Sequence, residues 1–432
     1  MQLKVSGNRR FLTDENGDPF FYLGDTAWEL FHRLDRDEAD YYLQTRAAQG
    51  FTVIQAVVLA EHEFARPNPY GDHPLRDDDP TKPNEGYFAH VDYIVNKAAE
   101  LGLTIGMLPT WGDKWNPKWA KGPELFTPEN ARTFGAFVGR RYRDRPIIWI
   151  LGGDRPVETE THQDIIRAMA AGLTEGDGGR CLKTFHPMGG QTSSTYFHTE
   201  DWLDFNMYQT GHARNRDGYN LIAGDYALEP IKPCMDAEPG YEDHPNGFKV
   251  ENGYLDEYDV RKAAYWNLFA GAHGHTYGCH DIWQFLNTDR FPAVMAARTP
   301  WREAIHLPGA NQMRFVRKLI ESRPFLSRIP DQALLLSDPE TGGDHVQATR
   351  SDDGVYAFIY IPSGKPVTVD LGRLSGKTIL ARWFDPRTGA VLPIGEFPQG
   401  NPAEFTPPVD GPDWVLMLDD PDRGFAAPGQ ES

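Results

Sequence analysis

The amino-acid sequence is typical of an α/β protein in which a (β/α)8 TIM barrel is followed by a small antiparallel β-sandwich. Short apolar runs alternate with helix-length segments over the first three quarters of the 432 residues. Several of these runs end on acids, glycines or aromatic residues, as barrel strands do. After Phe325 the helical period stops, and β-rich runs are separated by Gly, Pro and Asp turns. We therefore expect a barrel over 1–324, a sandwich over 325–420 and a flexible tail over 421–432.

The predicted elements follow a β-then-α order. The eight barrel strands are expected at 20–24, 52–59, 104–109, 147–151, 181–185, 203–208, 232–236 and 274–277. The predicted helices are at 35–49, 87–101, 128–142, 161–173, 217–228, 256–270 and 300–322, and the helix after the fifth strand is the weakest signal. In the second domain, strands are expected at 354–361, 367–371, 379–384 and 414–418.

Helix boundaries are marked by capping residues. Asp35 precedes two acids and Gly50 closes the same segment, which places an N-cap and a C′ glycine. Thr127 followed by Pro128 gives a cap and a proline at the first helical position. These residues locate helices and carry no chemistry.

Composition restricts the partners. A formal charge of -19 argues against binding nucleic acid or an anionic membrane surface, whereas a neutral carbohydrate is unaffected. No apolar segment approaches the ~18 residues of a membrane span, and the first ten residues lack the apolar core of a signal peptide. We expect a cytoplasmic protein, unless a leader was removed. Its three cysteines, Cys181, Cys234 and Cys279, are expected to be small buried hydrophobes. Oligomeric state is left open.

Two predicted strands end on carboxylates. The run 146–154 ends at Asp154, and the run that starts at Lys232 reaches Glu238. Carboxylates from different strand ends suit the acid and the nucleophile of a sugar-cleaving enzyme. The alternatives are an ion pair of Asp154 with Arg155 or Arg145, a helix cap, and Glu242 as a reserve nucleophile. Asp236 is expected to be structural and deeper in the barrel.

Further polar and aromatic residues follow the strands and are expected to bind substrate. Tryptophan can stack on a sugar ring, although it is also a common core residue, and Asp25 is the strongest candidate for binding two hydroxyls. The expected substrate-binding residues are Asp25, Trp28, Glu61, Trp111, Lys114, His186, Asn206, Gln209, Tyr241, His275, Tyr277 and Trp283.

A metal-dependent hydrolase is the second hypothesis. His273 and His275 are two apart on a predicted strand and His280 is near, but a zinc hydrolase needs further ligands and no early His-x-His occurs. We therefore expect no metal and no cofactor. A third hypothesis, an inactive barrel carrying a binding module, leaves the acid-ending strands unexplained.

Four motifs resemble the glycoside hydrolase family 140 apiosidases: Tyr22-Leu-Gly-Asp-Thr-Ala-Trp28, the run 53–61, Trp149-Ile-Leu-Gly-Gly-Asp154 and the run 271–278. The resemblance implies a barrel with a β module that carries an old collagen-binding label. It also implies release of apiose from glycosides or pectic side chains with retention, Asp154 being the acid/base and Glu238 the nucleophile. Related barrels place Asn-Glu where this chain has Gly153-Asp154. Another pentose, a deoxy sugar, exo or endo action and a lid at 68–84 stay open.

Overall fold

A parallel eight-stranded barrel forms the first domain in the computed structural model of the chain, which describes residues 2–62, 64–120 and 122–430. Its strands are β1 Tyr22–Thr26, β2 Val53–Leu59, β3 Thr104–Thr110, β4 Ile147–Gly152, β5 Lys183–His186, β6 Asn206–Tyr208, β7 Cys234–Asp236 and β8 Gly274–Tyr277. They pair in the order β5-β4-β3-β2-β1-β8-β7-β6. Between β5 and β6, the Asp204 amide donates to the Lys183 carbonyl at 2.8 Å. The predicted TIM-type barrel is confirmed.

The helices lie outside the barrel and largely follow the predicted order. Their bounds are Leu30–Arg33, Arg36–Ala48, Glu85–Glu100, Pro128–Tyr142, Glu160–Asp177, Ser194–Phe197, Gly218–Tyr226, Glu257–Phe269, His280–Trp283, Trp301–Ala304 and Pro308–Glu321. The single helix expected over 300–322 is two helices, because Pro308 cannot continue the first and starts the second. After β5, only one turn of helix forms. Asp35 and Thr127 both cap their helices in capping boxes, as predicted.

Alternation along the strands separates two apolar layers. Tyr22, Val57 and Ile148 belong to the cluster that fills the barrel interior, and Leu23 and Ile54 belong to the layer beneath the helices. Three short strands, Lys4–Val5, Leu12–Thr13 and Pro19–Phe20, precede the barrel and form a small antiparallel sheet. Leu3, Leu12 and Phe20 join the interior cluster, so this sheet closes the amino-terminal end and leaves the opposite end open.

The second domain is built from antiparallel sheets. Its strands are β9 Arg328–Pro330, β10 Gln347–Ser351, β11 Tyr356–Ile361, β12 Val367–Asp370, β13 Thr378–Phe384, β14 Val391–Pro398, β15 Pro402–Phe405 and β16 Trp414–Asp419. Six form one sheet in the order β9-β10-β11-β16-β13-β14, and β12 pairs with β15 in a two-stranded sheet. Val367 and Phe405 of the smaller sheet pack with Ile359 in a separate core.

The central strands of the six-stranded sheet, β11 and β16, are buried on both faces. Along β11, Tyr356, Phe358 and Tyr360 join the apolar layer of the barrel, whereas Ala357 and Ile359 face the domain's own core. The apolar layer outside the barrel strands therefore continues into the second domain without a break.

Helix Glu257–Phe269 contributes Arg261, Tyr265 and Trp266 to this interface. Arg261 donates to both carboxylate oxygens of Asp413, at 2.8 and 2.7 Å, and both side chains are buried. Tyr265 stacks on Tyr360 with ring centroids 4.9 Å apart. The indole of Trp266 donates to the His345 carbonyl at 2.7 Å.

The segment after β16, expected to be a flexible tail, begins with a short 3-10 turn at Pro421–Arg423. The ring of Phe425 then packs against the barrel layer, beneath the Arg323 guanidinium at 4.7 Å. Residues 431 and 432 lie outside the described residues. All three cysteines are buried and free, as predicted. In the part of the chain that the structure describes, no helix is long and apolar enough to cross a bilayer.

Candidate active site

A cavity of about 590 Å³ opens at the carboxyl ends of the barrel strands. Asp154 and Glu238 both face it, although they follow β4 and β7, which are separated in the sheet order. Its lining residues are Trp28, Glu61, His62, Trp111, Trp119, Asp154, Met188, Gly189, Gly190, Gln209, Thr210, Gly211, His212, Arg216, Glu238, Tyr241, His244, Phe248, Trp283 and Met295.

Asp154 is presented by a sharp turn at the end of β4. Gly152, Gly153 and Asp154 have φ values of 94°, 106° and 44°, in the left-handed region that disfavours side chains. A Cβ atom at position 152 would lie 2.4 Å from the His186 carbonyl oxygen, and one at 153 would lie 2.9 Å from the Trp111 ring. The two glycines therefore let the chain turn tightly enough to bring this carboxyl into the mouth, at a cost in backbone strain that is common at functional sites.

The surroundings of Asp154 favour its protonated form. Burial and the nearby Glu238 charge raise the pKa of Asp154 to about 7, against the opposing effect of Arg155. The Arg155 guanidinium lies 3.6 Å from the carboxylate and also donates to Glu61 at 2.5 Å. The ion pair considered as an alternative role for Asp154 is thus present, and it coexists with a position in the cavity.

Glu238 is held between two histidines. The Nε2 atoms of His186 and His212 each lie 3.1 Å from one of its carboxylate oxygens. Burial alone would raise the pKa of Glu238, but hydrogen bonds from the two imidazoles outweigh it and lower the pKa to about 2. Between about pH 2 and about pH 7, Glu238 is therefore ionised while Asp154 is protonated.

The other contacts of the two histidines differ. His186 Nδ1 lies 3.1 Å from the Pro187 carbonyl oxygen, which can only accept, so this contact needs a proton on Nδ1. Both rings turn Nε2 towards Glu238, and each Nε2 donates to that carboxylate when it carries a proton.

Aromatic side chains form the walls around the two acids. Trp28 and Trp111 pack together with centroids 5.0 Å apart, and each lies within 6 Å of the His186 ring. The Trp28 indole donates to the Tyr241 hydroxyl at 3.2 Å, and that hydroxyl also contacts Glu238. Flat apolar surfaces next to a few directed polar groups are the usual means of holding a sugar ring.

The structure brings most of the residues predicted from strand ends into this cavity. Besides the two acids, the predicted residues that line it are Trp28, Glu61, Trp111, Gln209, Tyr241 and Trp283. His186 lies one layer deeper, fully buried behind Glu238.

Four residues that were predicted to bind substrate lie on the outer face of their strands instead. Asp25 forms a buried ion pair with Arg46 at 2.7 Å, so the expectation that it binds sugar hydroxyls is wrong. Asn206 binds Ser193 and His198 in the layer outside the barrel, and Tyr277 donates to Glu242 at 2.5 Å. His275 shares the outward register of Tyr277 and is fully buried.

Three other carboxylate or ammonium groups are also removed from the cavity. Lys114 is buried and paired with Asp113 at 2.5 Å, so its expected role in substrate binding is wrong as well. Glu242 accepts from the Gly309 amide at 2.9 Å as well as from Tyr277, which excludes it as the nucleophile. Asp236 is structural, as expected, but it lies outside the barrel, where Thr210 and Asn267 donate to it.

Several cavity residues come from loops that the strand-end argument does not reach. They are His62, Trp119, Met188, Arg216, His244, Phe248 and Met295. Their sequence signal is weak, because each stands several residues from a strand or in a long loop. His212 follows β6 closely and is a strand-end residue like Gln209. The segment 68–84, all of which is described, does not line the cavity.

Histidines near the cavity do not form a metal site within residues 2–62, 64–120 and 122–430, where no suitable cluster of three or more His, Cys, Asp or Glu occurs. His280 lies 3.0 Å from the Met295 carbonyl through Nε2 and accepts from the Trp283 indole through Nδ1, so both ring nitrogens are engaged. His275, on the other side of the strand, cannot join it.

Comparisons with known proteins agree with this geometry. Residues 6–327 match the family model "Apiosidase-like, catalytic domain", and residues 329–419 match a domain model named for collagen binding in a collagenase. A search of curated proteins gave no match. The two models divide the chain close to the boundary expected between 324 and 325.

Solved structures extend the similarity over the whole chain. One described as "Glycoside hydrolase" is 35% identical, with 98% of this chain and 97% of that chain covered and a TM-score of 0.89. A glycoside hydrolase family 5 protein from Bacteroides vulgatus ATCC 8482 is 34% identical, with 99% and 95% covered and a TM-score of 0.91. The open barrel end, the paired acids and these matches lead to one conclusion: the chain belongs to the apiosidase-like family of glycoside hydrolases.

Proposed function

We propose that this glycoside hydrolase releases β-linked apiose, a branched pentose, from plant glycosides or pectic side chains with retention of anomeric configuration. The observation that carries the proposal is that two carboxyl groups in one cavity have pKa values shifted in opposite directions. The pKa of Asp154 is raised, which favours the protonated acid, and the pKa of Glu238 is lowered, which favours the carboxylate. The match to the apiosidase-like family supports apiose as the sugar.

In the first step, the protonated Asp154 gives its proton to the glycosidic oxygen as the bond from that oxygen to the anomeric carbon breaks. Glu238 attacks the same carbon from the opposite face and forms a glycosyl ester. The two histidines orient its carboxylate. Tyr241, which also contacts Glu238, is placed to stabilise charge that develops near the ring oxygen.

In the second step, Asp154 is ionised and takes a proton from water. The water oxygen attacks the anomeric carbon, the ester bond to Glu238 breaks, and apiose leaves with the configuration it had in the substrate. Asp154 regains its proton and Glu238 its charge. The raised pKa of Asp154 suits both roles, because a group that titrates near neutral pH can give and take a proton.

The test uses amide variants with a matched control. Glu238→Gln and Asp154→Asn should lower kcat on β-apiosides by at least about 10³-fold while melting temperatures stay close to wild type. Glu242→Gln is the control, since it removes a buried carboxylate outside the cavity. Near-normal kcat in both amide variants would end the proposal.

Stereochemistry and sugar identity need separate measurements. In methanol-containing buffer, a retaining enzyme should give methyl β-apioside, detected by NMR. Azide should restore turnover to Glu238→Ala, because it attacks the anomeric carbon from the face that Glu238 has vacated. The product of this single inversion is the α-glycosyl azide. Matched aryl xylosides, arabinofuranosides and rhamnosides test the alternative pentose and deoxy-sugar substrates. A preference for one of these would correct the sugar and keep the mechanism.

A further inference from the structure

Three large apolar side chains stand exposed around the mouth of the cavity. Trp119 is 67% exposed, Phe248 60% and Met295 48%. In the described part of the chain seven large hydrophobic residues are at least 48% exposed, and three of them line this one cavity. We call these three residues the apolar rim. Exposed apolar surface gathered in one place marks a binding surface.

The backbone at the apolar rim is held in an unfavourable conformation. Trp119, Phe248 and Met295 have φ values of 67°, 65° and 47°, all in the left-handed region. For a bulky residue this region costs free energy, and such residues cluster at active sites and ligand clamps. Asp154 shares the feature, so the acid and the apolar rim are both presented by strained turns.

The apolar rim lies on both sides of the two acids. Trp119 lies on the Asp154 side, with its ring 5.8 Å from the guanidinium carbon of Arg155. Phe248 lies on the Glu238 side, where its ring packs against His212 at 5.6 Å and His244 at 4.9 Å. A group that leaves through the open end therefore passes between them.

Charge at the cavity disfavours an acidic leaving group. The Glu238 carboxylate lines it together with Glu61, which is paired with Arg155, and the whole protein carries a formal charge of -19. Arg216 is an exposed cation at the mouth. An acidic oligosaccharide would meet the negative mean field of the protein with the Arg216 guanidinium in its favour, whereas a neutral group meets no repulsion.

We propose that the apolar rim is an aglycone site for a neutral, planar aromatic leaving group. The aromatic group stacks on Trp119 and Phe248 and contacts Met295, while the sugar lies deeper against Trp28 and Trp111. This inference rests on the proposed function for the position of the cleaved bond. It narrows the substrate class from glycosides and pectic side chains to aryl glycosides.

The test compares two apiosides with different leaving groups, 2-naphthyl β-D-apioside and 2,2,2-trifluoroethyl β-D-apioside. Trp119→Ala and Phe248→Ala should each raise KM for the naphthyl substrate about tenfold and change KM for the trifluoroethyl substrate less than about twofold. Trp119→Phe and Phe248→Tyr keep an aromatic face and should stay near wild type. Leu392→Ala, an exposed apolar residue in the second domain, is the control. Each variant is compared with wild type on the same substrate, so leaving-group acidity cancels.

A rise in KM that is equal for the two substrates would overturn the inference and leave the proposed function intact. A third substrate, an apioside of a uronic acid, tests the acidic alternative. The inference is also overturned if this apioside is the best of the three substrates and Arg216→Ala raises KM for it tenfold. Should wild type cleave no apioside, binding of 2-naphthol is measured by fluorescence. Weaker binding in Trp119→Ala and Phe248→Ala would then support the aglycone site while the sugar assignment fails, and unchanged binding would overturn it.

Discussion

Replacement of His212 by phenylalanine should move the acid limb of the pH–rate profile upward. The two histidines lower the pKa of Glu238 from 4.5 to about 2, against the effect of burial. At about 1.4 kcal/mol for each pKa unit, the folded site favours the carboxylate by about 3 kcal/mol. Phenylalanine keeps the ring contacts with Tyr241 at 4.3 Å and His244 at 4.4 Å but removes the donor to Glu238.

The size of the shift follows from the lost hydrogen bond. A hydrogen bond to a charged group contributes about 1.5 to 3 kcal/mol, so the pKa of Glu238 should rise by about one to two units. The nucleophile must be ionised, and the pKa of this carboxyl is depressed. Activity is therefore lost as the pH falls through the raised value, and the acid limb should move from about pH 2 to about pH 3 to 4.

The assay is kcat/KM for an aryl β-apioside from about pH 2 to pH 9, with circular dichroism at each pH to confirm folding. His212→Gln is the matched control, because its amide can still donate to Glu238, and its acid limb should stay near that of wild type. The alkaline limb, set by Asp154 near pH 7, should be the same in both variants. An acid limb in the phenylalanine variant that coincides with wild type would refute the role assigned to His212.

The remaining expectations concern the acid, a buried ion pair, the domain interface and metals. Arg155→Met removes a charge that lowers the pKa of Asp154, so the alkaline limb should move above pH 7; an unmoved limb contradicts this. Asp25→Asn leaves a buried guanidinium unpaired and should lower the free energy of urea unfolding by about 3 to 5 kcal/mol, with kcat/KM per folded molecule unchanged within about twofold. Asp413→Ala should destabilise by a similar amount through Arg261, and an unchanged urea midpoint would count against the interface. Prolonged dialysis against EDTA should leave kcat intact, and a loss restored by Zn²⁺ would revive the metal hypothesis.

The sequence allowed the barrel and its two acids to be predicted because strand ends carry a positional rule. Residues that follow a strand, such as Glu61, Trp111 and Trp283, lie in the cavity as expected. The rule fails inside a strand, where alternate side chains point to opposite faces. Asp25 and Tyr277 are within β1 and β8 and point towards the helices, and the inward register of Thr26 and Thr276 could have shown this.

Loop residues could not be predicted in the same way. The three residues of the apolar rim, Trp119, Phe248 and Met295, lie in long loops whose course depends on tertiary contacts. Their left-handed backbone conformation could not be predicted either, because bulky side chains rarely adopt it. The pair of histidines that holds Glu238 was not predicted, because His186 and His212 follow different strands and the direction of each ring depends on packing in the folded barrel.

The burial of the central strands of the six-stranded sheet on both faces has a consequence for how such chains can diverge. A domain whose sheet has one buried face and one solvent-exposed face can be exchanged between proteins as an independent unit. Here Tyr356, Phe358 and Tyr360 would lose their contacts with the barrel on separation, and the helix Glu257–Phe269 would be left with uncovered aromatic rings. Substitutions on either side of this contact must compensate each other, so the two halves are expected to be inherited together and to vary in concert, while the loops at the open end remain free to change specificity.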